Sequence, residues 1–259
     1  MGEIVTLERA FPGRPAFDAA VSRALLRRVA EGRAPESFRL YRPDDVLAFS
    51  VADRTRPGFA RALAAAHAAG FAPVLRLAGG RAAVFHRATL AFAWSRPAAE
   101  LRGGIAERFR ETAEILVAAL RSLGVDARAG AVPGEYCPGA HSVNARGAVK
   151  LAGVGQRVVR GAAHVGGVVV VGGSARLREA LVPVYRELGF ELDPARAGSL
   201  EDELGPLALE SVAEALRAEL ARRYALAPGE PDAETLALAE ALAPEHALGA
   251  PPATGSPAP

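Results

Sequence analysis

The chain has almost no lysine and almost no cysteine. Among its 31 basic residues, Lys150 is the only lysine, and Cys137 is the only cysteine. A single thiol excludes a disulfide within the chain. Because arginine fills every other basic position, the remaining lysine indicates a role that a guanidinium cannot fill, such as proton transfer. Chance retention at the surface is the alternative for Lys150, and a small buried hydrophobe is the alternative for Cys137.

The sequence also lacks the features of an exported or membrane-spanning protein. Its first residues, MGEIVTLERAF, carry acids where a signal peptide needs a basic stretch followed by an apolar one. The longest apolar run, at 162–173, is too short and too rich in glycine to span a bilayer. We therefore expect a cytoplasmic protein that has no membrane partner.

Charge and histidine spacing exclude two further classes of function. The formal net charge is only +2 and the arginines are scattered, so we expect no nucleic-acid partner. Apart from His141, the histidines form no metal-ligand spacing with one another or with Cys137, so we expect no metal site; they are His67, His86, His164 and His246. With 259 residues and 50% hydrophobic content, the chain is long enough for one large domain with an appendage.

Apolar periodicity predicts helices and strands that interleave without strict βαβ alternation. Segments 37–42 and 46–51, separated by a Pro-Asp-Asp turn, predict a hairpin. The overall pattern favours an α+β fold, a mixed β-sheet sandwich with packed helices. Helices are expected at 17–32, 57–69, 105–123, 174–188 and 209–226, with a weaker one at 232–243.

Two segments have residue types suited to ligand binding or catalysis. In RLAGGRAAVFH (76–86), glycines let backbone amides approach a ligand, and the arginines could hold a carboxylate, phosphate or carbonyl; a plain hairpin has the same pattern. In the second segment, Cys137 lies in a loop bounded by proline and glycine, and Lys150 follows. A nearby ammonium favours a thiolate, which is the nucleophilic form. His141 is a candidate general base or an exposed side chain.

Taken together, these segments resemble the lipoate-protein ligase and octanoyltransferase family, which is related in fold to biotin protein ligases. The resemblance covers about residues 15–225. GGRAAVFH resembles the family's glycine-rich acyl-binding loop, and VKLAGVGQR resembles the segment with its essential lysine. Arg81 stands where ATP-dependent ligases usually have a third glycine, and Arg87 replaces an aspartate after His86. EYCPG resembles the loop with the acyl-accepting cysteine of the amidotransferase branch.

The resemblance implies catalytic roles for Cys137 and Lys150 and a larger set of substrate-binding residues. We expect a catalytic domain over 1–226 and a helical appendage over 227–248, and the low-complexity composition of 249–259 predicts a disordered tail. The substrate-binding residues implied are Arg76, Gly79, Gly80, Arg81, His86, Gly153, Gln156 and His164.

The activity implied is transfer of an octanoyl or lipoyl group to a lysine of a lipoyl-carrier domain. Cys137 would form an acyl-enzyme without a cofactor, and Lys150 would assist at the acyl carbonyl. The partners implied are 2-oxoacid dehydrogenase lipoyl domains, glycine cleavage H protein and acyl carrier protein. One alternative is an ATP- and magnesium-dependent lipoate ligase that forms a lipoyl-adenylate, with Cys137 a bystander. Another is a non-catalytic scaffold that binds acyl carriers.

Overall fold

The computed structural model describes residues 2–100 and 103–249. Of the tail predicted to be disordered, all but Gly249 lies outside the described residues. The described helices are α1 (Pro15–Ala30), α2 (Phe59–Ala68), α3 (Ile105–Ser122), α4 (Ser174–Leu188), α5 (Leu200–Leu204), α6 (Leu209–Ala221) and α7 (Ala233–His246). The strands are β1 (Glu3–Leu7), β2 (Ser37–Tyr41), β3 (Val46–Phe49), β4 (Ala72–Leu75), β5 (Ala83–Phe85), β6 (Thr89–Ala98), β7 (Ala127–Ala129), β8 (Val143–Ala145), β9 (Val149–Val159), β10 (Gly161–Val170) and β11 (Ala225–Gly229).

The strands form a large sheet and a small one. The large sheet has eight strands in the order β11-β1-β2-β6-β10-β9-β8-β7, and the small sheet has three in the order β4-β3-β5. The large sheet is mixed, since β1 runs parallel to β2 and β11 whereas β10 is antiparallel to β6 and β9. Mixed sheets with packed helices confirm the α+β prediction.

Helices α3 and α6 cover one face of the large sheet. The apolar positions of β2 and β6 meet these helices in one cluster, in which Phe38 and Trp94 pack edge to face with ring centroids 5.8 Å apart. Leu120 of α3 and Leu216 of α6 are fully buried in the same cluster. Burial of each such side chain contributes about 1.5–3 kcal/mol. The central strands therefore form a rigid base for the loops at their ends.

A second apolar cluster joins the small sheet to α2 and α4. Leu47 and Phe49 of β3 pack there with Leu177 and Leu181 of α4, all of them fully buried. The glycine-rich segment connects β4 to β5 within this small sheet. The loop is thereby placed against α4.

The predicted hairpin of segments 37–42 and 46–51 is wrong. The first segment forms β2, which pairs with β1 and β6 in the large sheet, whereas the second forms β3 in the small sheet. Both strands are buried along nearly their whole length, so each needs neighbours on two sides. The Pro-Asp-Asp turn carries the chain from one sheet to the other.

The predicted helix at 209–226 ends earlier than expected. Helix α6 stops at Ala221, and residues 225–229 form the edge strand β11, which includes Pro228. An edge strand tolerates proline because one side of it makes no ladder hydrogen bonds. Helix α7 then packs on α1 through Leu25 and Leu242. The division into a domain and an appendage at residue 226 stays a prediction, and it falls within β11.

Two further findings concern the described part of the chain. None of its helices is long and apolar enough to cross a bilayer. No group of three or more histidine, cysteine, aspartate or glutamate side chains within residues 2–100 and 103–249 is placed to bind a metal ion.

Candidate active site

The sole thiol lies between two loops from distant parts of the sequence. Cys137 belongs to the connection between β7 and β8, and the glycine-rich connection between β4 and β5 faces it. The backbone N–H of Arg81 donates a hydrogen bond to Cys137 Sγ over 3.1 Å, and Arg76 Nη2 lies 3.5 Å from the same sulfur. Arg76 Nη2 also donates to the carbonyl of Arg81 over 2.7 Å. The sulfur therefore has two hydrogen-bond donors beside it, and both favour its thiolate form.

Lys150 enters the same site from β9. Its side chain is 1% exposed, and Nζ donates to the carbonyl oxygens of Cys137 and Tyr136 over 2.8 and 2.9 Å. Nζ also forms an ion pair with Glu135 Oε1 at 3.3 Å. The ammonium thus binds the backbone of the residue that carries the thiol.

Glu135 is a site residue that sequence reasoning missed. Its buried carboxylate accepts hydrogen bonds from Ser142 Oγ (2.7 Å), from the Gly139 N–H (3.2 Å) and from the Val132 N–H (3.0 Å). The sequence offered one signal for Glu135: it lies two residues before the only cysteine, in a chain whose only lysine needs an acidic partner if it is buried. Glu135 both neutralises Lys150 and fixes the shape of the loop that contains Cys137.

The charges around the sulfur favour its ionised form. Burial raises the pKa of the Cys137 thiol, but the positive charges of Arg76 and Lys150 and the N–H of Arg81 outweigh burial and leave the pKa below its ordinary value. Burial lowers the pKa of Lys150, and the neighbouring Cys137 and Glu135 only partly oppose this. The two groups therefore have pKa values that both lie below normal.

The lowered thiol pKa predicts a specific pH dependence of alkylation. Since iodoacetamide reacts with the thiolate, the alkylation rate of Cys137 should reach half its maximum at a lower pH than that of a cysteine peptide. Arg76→Met removes a positive charge beside the sulfur, so its midpoint should move upward. A wild-type midpoint at or above that of the peptide would contradict the lowered pKa. Intact mass spectrometry measures both rates.

Gly80 occupies a position that only glycine fits. Its φ is +101°, and a Cβ there would lie 2.6 Å from Arg76 Nη2 and 2.7 Å from Cys137 Sγ. The adjacent Gly79 has no atom within 4 Å of its Cβ position. Close approach of the loop backbone to the sulfur therefore depends on Gly80 and not on Gly79.

This difference predicts that alanine is harmful at position 80 and tolerated at position 79. Gly80→Ala should lower the free energy of unfolding by about 1–3 kcal/mol, because alanine is strained at positive φ. It should also slow alkylation of Cys137, because the new methyl displaces Arg76 or the sulfur. Gly79→Ala is the matched control and should stay within about 0.5 kcal/mol of wild type. Chemical denaturation measures the stability, and equal effects of the two substitutions would refute this account.

A small cavity adjoins the sulfur and shares a wall with a larger one. The small cavity is lined by Cys137, Lys150 and Gly153 together with apolar side chains such as Val168. The larger one is lined mostly by apolar atoms and includes His164. The residues common to both walls are Arg76, Phe85, Gly166 and Gly167.

His164 lies in the larger cavity without a charge at neutral pH. Burial and the nearby Arg39 lower the pKa of His164 to about 4. Its Nδ1 has no hydrogen-bond partner among the described residues. The imidazole is therefore neutral, which suits the apolar surroundings of this cavity.

Other residues expected at the site lie apart from the sulfur or have a different contact. Gln156 Oε1 accepts a hydrogen bond from Arg108 Nε over 2.6 Å, and Gln156 Nε2 donates one to the Ile105 carbonyl over 3.1 Å. His86 is buried, its Nδ1 accepts from the Ala88 N–H over 3.2 Å, and it lines neither cavity. The substrate-binding roles proposed for Gln156 and His86 stay predictions.

The side chains of Arg81 and His141 both make contacts with an aromatic ring that the sequence did not indicate. The guanidinium of Arg81 packs 4.4 Å from the ring centroid of Phe190, so its backbone N–H and not its charge meets the thiol. His141 stacks on Phe109 of α3, with ring centroids 5.2 Å apart and planes within 4°. The stacking holds the far side of the cysteine loop against α3.

A thiol held by N–H donors, beside a buried ammonium and an apolar cavity, defines a site suited to acyl chemistry. The chain belongs to the lipoyl protein ligase A/B catalytic domain family, whose model matches residues 14–221. This match confirms the resemblance found in the sequence.

Individual relatives agree with the family assignment. The octanoyl-[GcvH]:protein N-octanoyltransferase of Geobacillus kaustophilus (strain HTA426) is 28% identical over 210 residues, which cover 80% of this chain and 73% of the relative. A crystal structure of lipoate-protein ligase A bound with ATP has a TM-score of 0.73 at 21% identity and covers 94% of each chain. The structure of protein Ta0514 of T. acidophilum with bound lipoic acid has a TM-score of 0.72 at 22% identity, and the match covers 94% of this chain and 95% of that chain. At these identities, the structural likeness establishes a shared fold.

Proposed function

We propose that this chain transfers an octanoyl group from glycine cleavage H protein (GcvH) to a lysine of another lipoyl domain, through a thioester on Cys137. The observation that carries the proposal is the position of Cys137 Sγ, 3.1 Å from the Arg81 N–H and beside a cavity. The name of the Geobacillus relative supports the choice of acyl group and of donor. Enzymatic activity of this kind needs a nucleophile with a lowered pKa, which Cys137 has.

The reaction exchanges one amide for another. Cys137 Sγ bonds to the carbonyl carbon of the octanoyl-lysine on the donor, and the electron pair of the C=O bond moves to its oxygen. When this pair returns, the C–N bond breaks and the donor lysine leaves as an amine after it takes up a proton. The amine of the acceptor lysine then attacks the thioester, loses a proton and expels the thiolate. Because the bond broken and the bond formed are both amides, the transfer needs no ATP.

The residues around the sulfur supply the remaining functions. The Arg81 N–H, which faces the thiolate at rest, would donate to the carbonyl oxygen when charge moves there from the sulfur. Arg76 would offset the same negative charge from its position 3.5 Å from Sγ. Lys150, whose pKa is lowered by burial, is suited to give the leaving amine its proton and to accept one from the attacking amine.

The adjoining cavities suit an aliphatic chain. The lining around Cys137 includes Phe85, Val154 and Val168. The larger cavity adjoins this one and does not include Cys137, so it lies further from the sulfur. A neutral His164 adds no charge to this path. An octanoyl group would therefore extend from the thioester between the central strands and the small sheet.

One experiment tests the proposal and separates it from ATP-dependent ligation. The purified protein is mixed with an apo lipoyl domain and offered octanoyl-H protein without ATP, octanoyl-acyl carrier protein without ATP, or free octanoate with ATP and magnesium. Product is measured by intact mass, and lipoylated donors in parallel reactions report chain preference. We expect product from octanoyl-H protein alone. Product only in the reaction with ATP would establish a ligase, and no product in any reaction would favour a non-catalytic scaffold.

A further inference from the structure

One tyrosine hydroxyl joins the two loops that form the site. Tyr185, on α4, is 1% exposed and lines neither cavity. Its Oη accepts a hydrogen bond from the backbone N–H of Cys137 over 2.7 Å and donates one to the carbonyl of Ala82 over 2.9 Å. The thiol loop and the glycine-rich loop are therefore fixed to each other through a side chain that neither loop contains.

Both hydrogen bonds act on the geometry of the sulfur. Cys137 has a φ of +42°, which is uncommon for a residue with a side chain, and the bond to Tyr185 Oη fixes its peptide in that conformation. The second bond fixes the carbonyl of Ala82, the residue after Arg81. Because the Arg81 N–H is the donor nearest to Sγ, the hydroxyl sets the relative position of sulfur and donor.

The same contact determines which amide is free to stabilise charge. The Cys137 N–H is already occupied by Tyr185 Oη, so it does not face a substrate carbonyl. The Arg81 N–H, by contrast, faces only the sulfur. Preorganised donors stabilise an oxyanion only when they lie where the oxygen develops charge.

We propose that Tyr185 is a positioning residue for acyl transfer, which holds Cys137 Sγ against the Arg81 N–H and leaves that N–H as the backbone donor for the carbonyl oxygen. The inference rests on the proposed acyl transfer for its kinetic consequences but not for its geometry. Tyr185 itself takes no part in proton transfer, because burial, with the nearby Cys137 in second place, raises its pKa well above the ordinary value. Its hydroxyl thus stays protonated at every working pH.

Tyr185→Phe tests the role, because phenylalanine keeps the ring and removes only the hydroxyl. We expect kcat to fall by about 10- to 100-fold, while KM for the lipoyl domain stays within about twofold, since positioning acts on the reaction and not on carrier binding. The pH midpoint of Cys137 alkylation by iodoacetamide should rise by about half a unit or more, because Sγ loses a well-placed N–H donor. Alkylation needs no octanoyl donor, so it tests Tyr185 even if the proposed transfer fails.

Tyr224→Phe is the matched control. Tyr224 also loses a hydroxyl hydrogen bond, to Glu111, but it packs on Trp94 away from the sulfur. We expect Tyr224→Phe to keep the wild-type kcat and the wild-type pH midpoint of alkylation. This should hold even if its thermal stability falls as much as that of Tyr185→Phe. Equal losses in both variants, or a wild-type midpoint in Tyr185→Phe, would overturn the proposal.

A second substitution covers the case in which Tyr185→Phe does not fold. An amino group, placed by 4-aminophenylalanine at position 185, keeps a donor for the Ala82 carbonyl but is a poor acceptor for the Cys137 N–H. We expect a folded protein with kcat reduced several-fold and an alkylation midpoint shifted upward. Wild-type values of both quantities in this variant would show that the bond to Cys137 does not position the thiol.

Discussion

Cys137→Ser is expected to abolish octanoyl transfer, with a fall in rate of about a thousandfold or more. The donors around Sγ stabilise a thiolate, but a serine hydroxyl ionises at far higher pH and would need a base close to its oxygen. Wild-type protein incubated with octanoyl-H protein alone should gain the mass of one octanoyl group, and neutral hydroxylamine should remove it. Because the chain has a single cysteine, the adduct needs no mapping.

Cys137→Ser should fold normally, so its stability is the control for its loss of activity. Cys137 is only partly buried, so we expect Cys137→Ser to change the free energy of unfolding by about 1 kcal/mol or less. Thermal unfolding of both proteins checks this. Wild-type transfer by the serine variant would exclude the acyl-enzyme, and strict ATP dependence in the same assay would establish a ligase that forms an acyl-adenylate.

Lys150→Met is expected to remove nearly all transfer and to destabilise the protein by about 3–5 kcal/mol. The ammonium is the ion-pair partner of Glu135, and its removal leaves a buried carboxylate without a compensating charge. Lys150→Arg retains a positive charge but replaces a compact ammonium with a planar guanidinium that does not shift its pKa. We therefore expect the arginine variant to lose a smaller part of the stability and still nearly all of the transfer.

A double substitution separates the structural role of Lys150 from its role in the reaction. Glu135→Gln combined with Lys150→Met removes both charges of this buried ion pair, so it should recover part of the stability that Lys150→Met loses. The double variant should remain inactive, because it has no group at this position to move a proton. Recovery of transfer together with stability would show that Lys150 serves only the structure of the loop. Urea denaturation and the octanoyl transfer assay measure the two properties separately.

The two residues placed at the centre of the site were already conspicuous in the sequence. Cys137 and Lys150 are the only residues of their kinds, and each matches a segment of the family pattern. The sequence also indicated that the glycine pair of segment 76–86 lets backbone amides approach a ligand. These predictions rested on residue type and local sequence, which a single chain reveals.

What the sequence did not reveal depends on contacts between distant segments. Tyr185 lies 48 residues from Cys137 and 103 from Ala82. Its position in α4 reads as one more apolar residue of a helix, because helical periodicity reports which face is buried but not what a hydroxyl meets there. The role of Glu135 was hidden for a similar reason, since surface loops commonly contain carboxylates.

The mistaken hairpin has a related cause. Turn residues between two short strands fix where the chain bends, but they do not fix which strands become neighbours. Here β2 found partners in β1 and β6, whose sequences lie on either side of β3. The small sheet formed by β3, β4 and β5 is what places the glycine-rich loop opposite Cys137. A hairpin in its place would have left the thiol without the Arg81 N–H.

The pairing of β1 with β11 has a consequence for synthesis of the protein. Residues 3–7 lie between β2 and residues 225–229, so β1 leaves the ribosome before β2 but gains its second neighbour only after β11 has been made. Pairing across such a sequence separation is slow, and domains emerge from the ribosome N-terminus first. A nascent chain that ends before residue 225 therefore presents β1 as an open edge, the kind of surface at which aggregation begins.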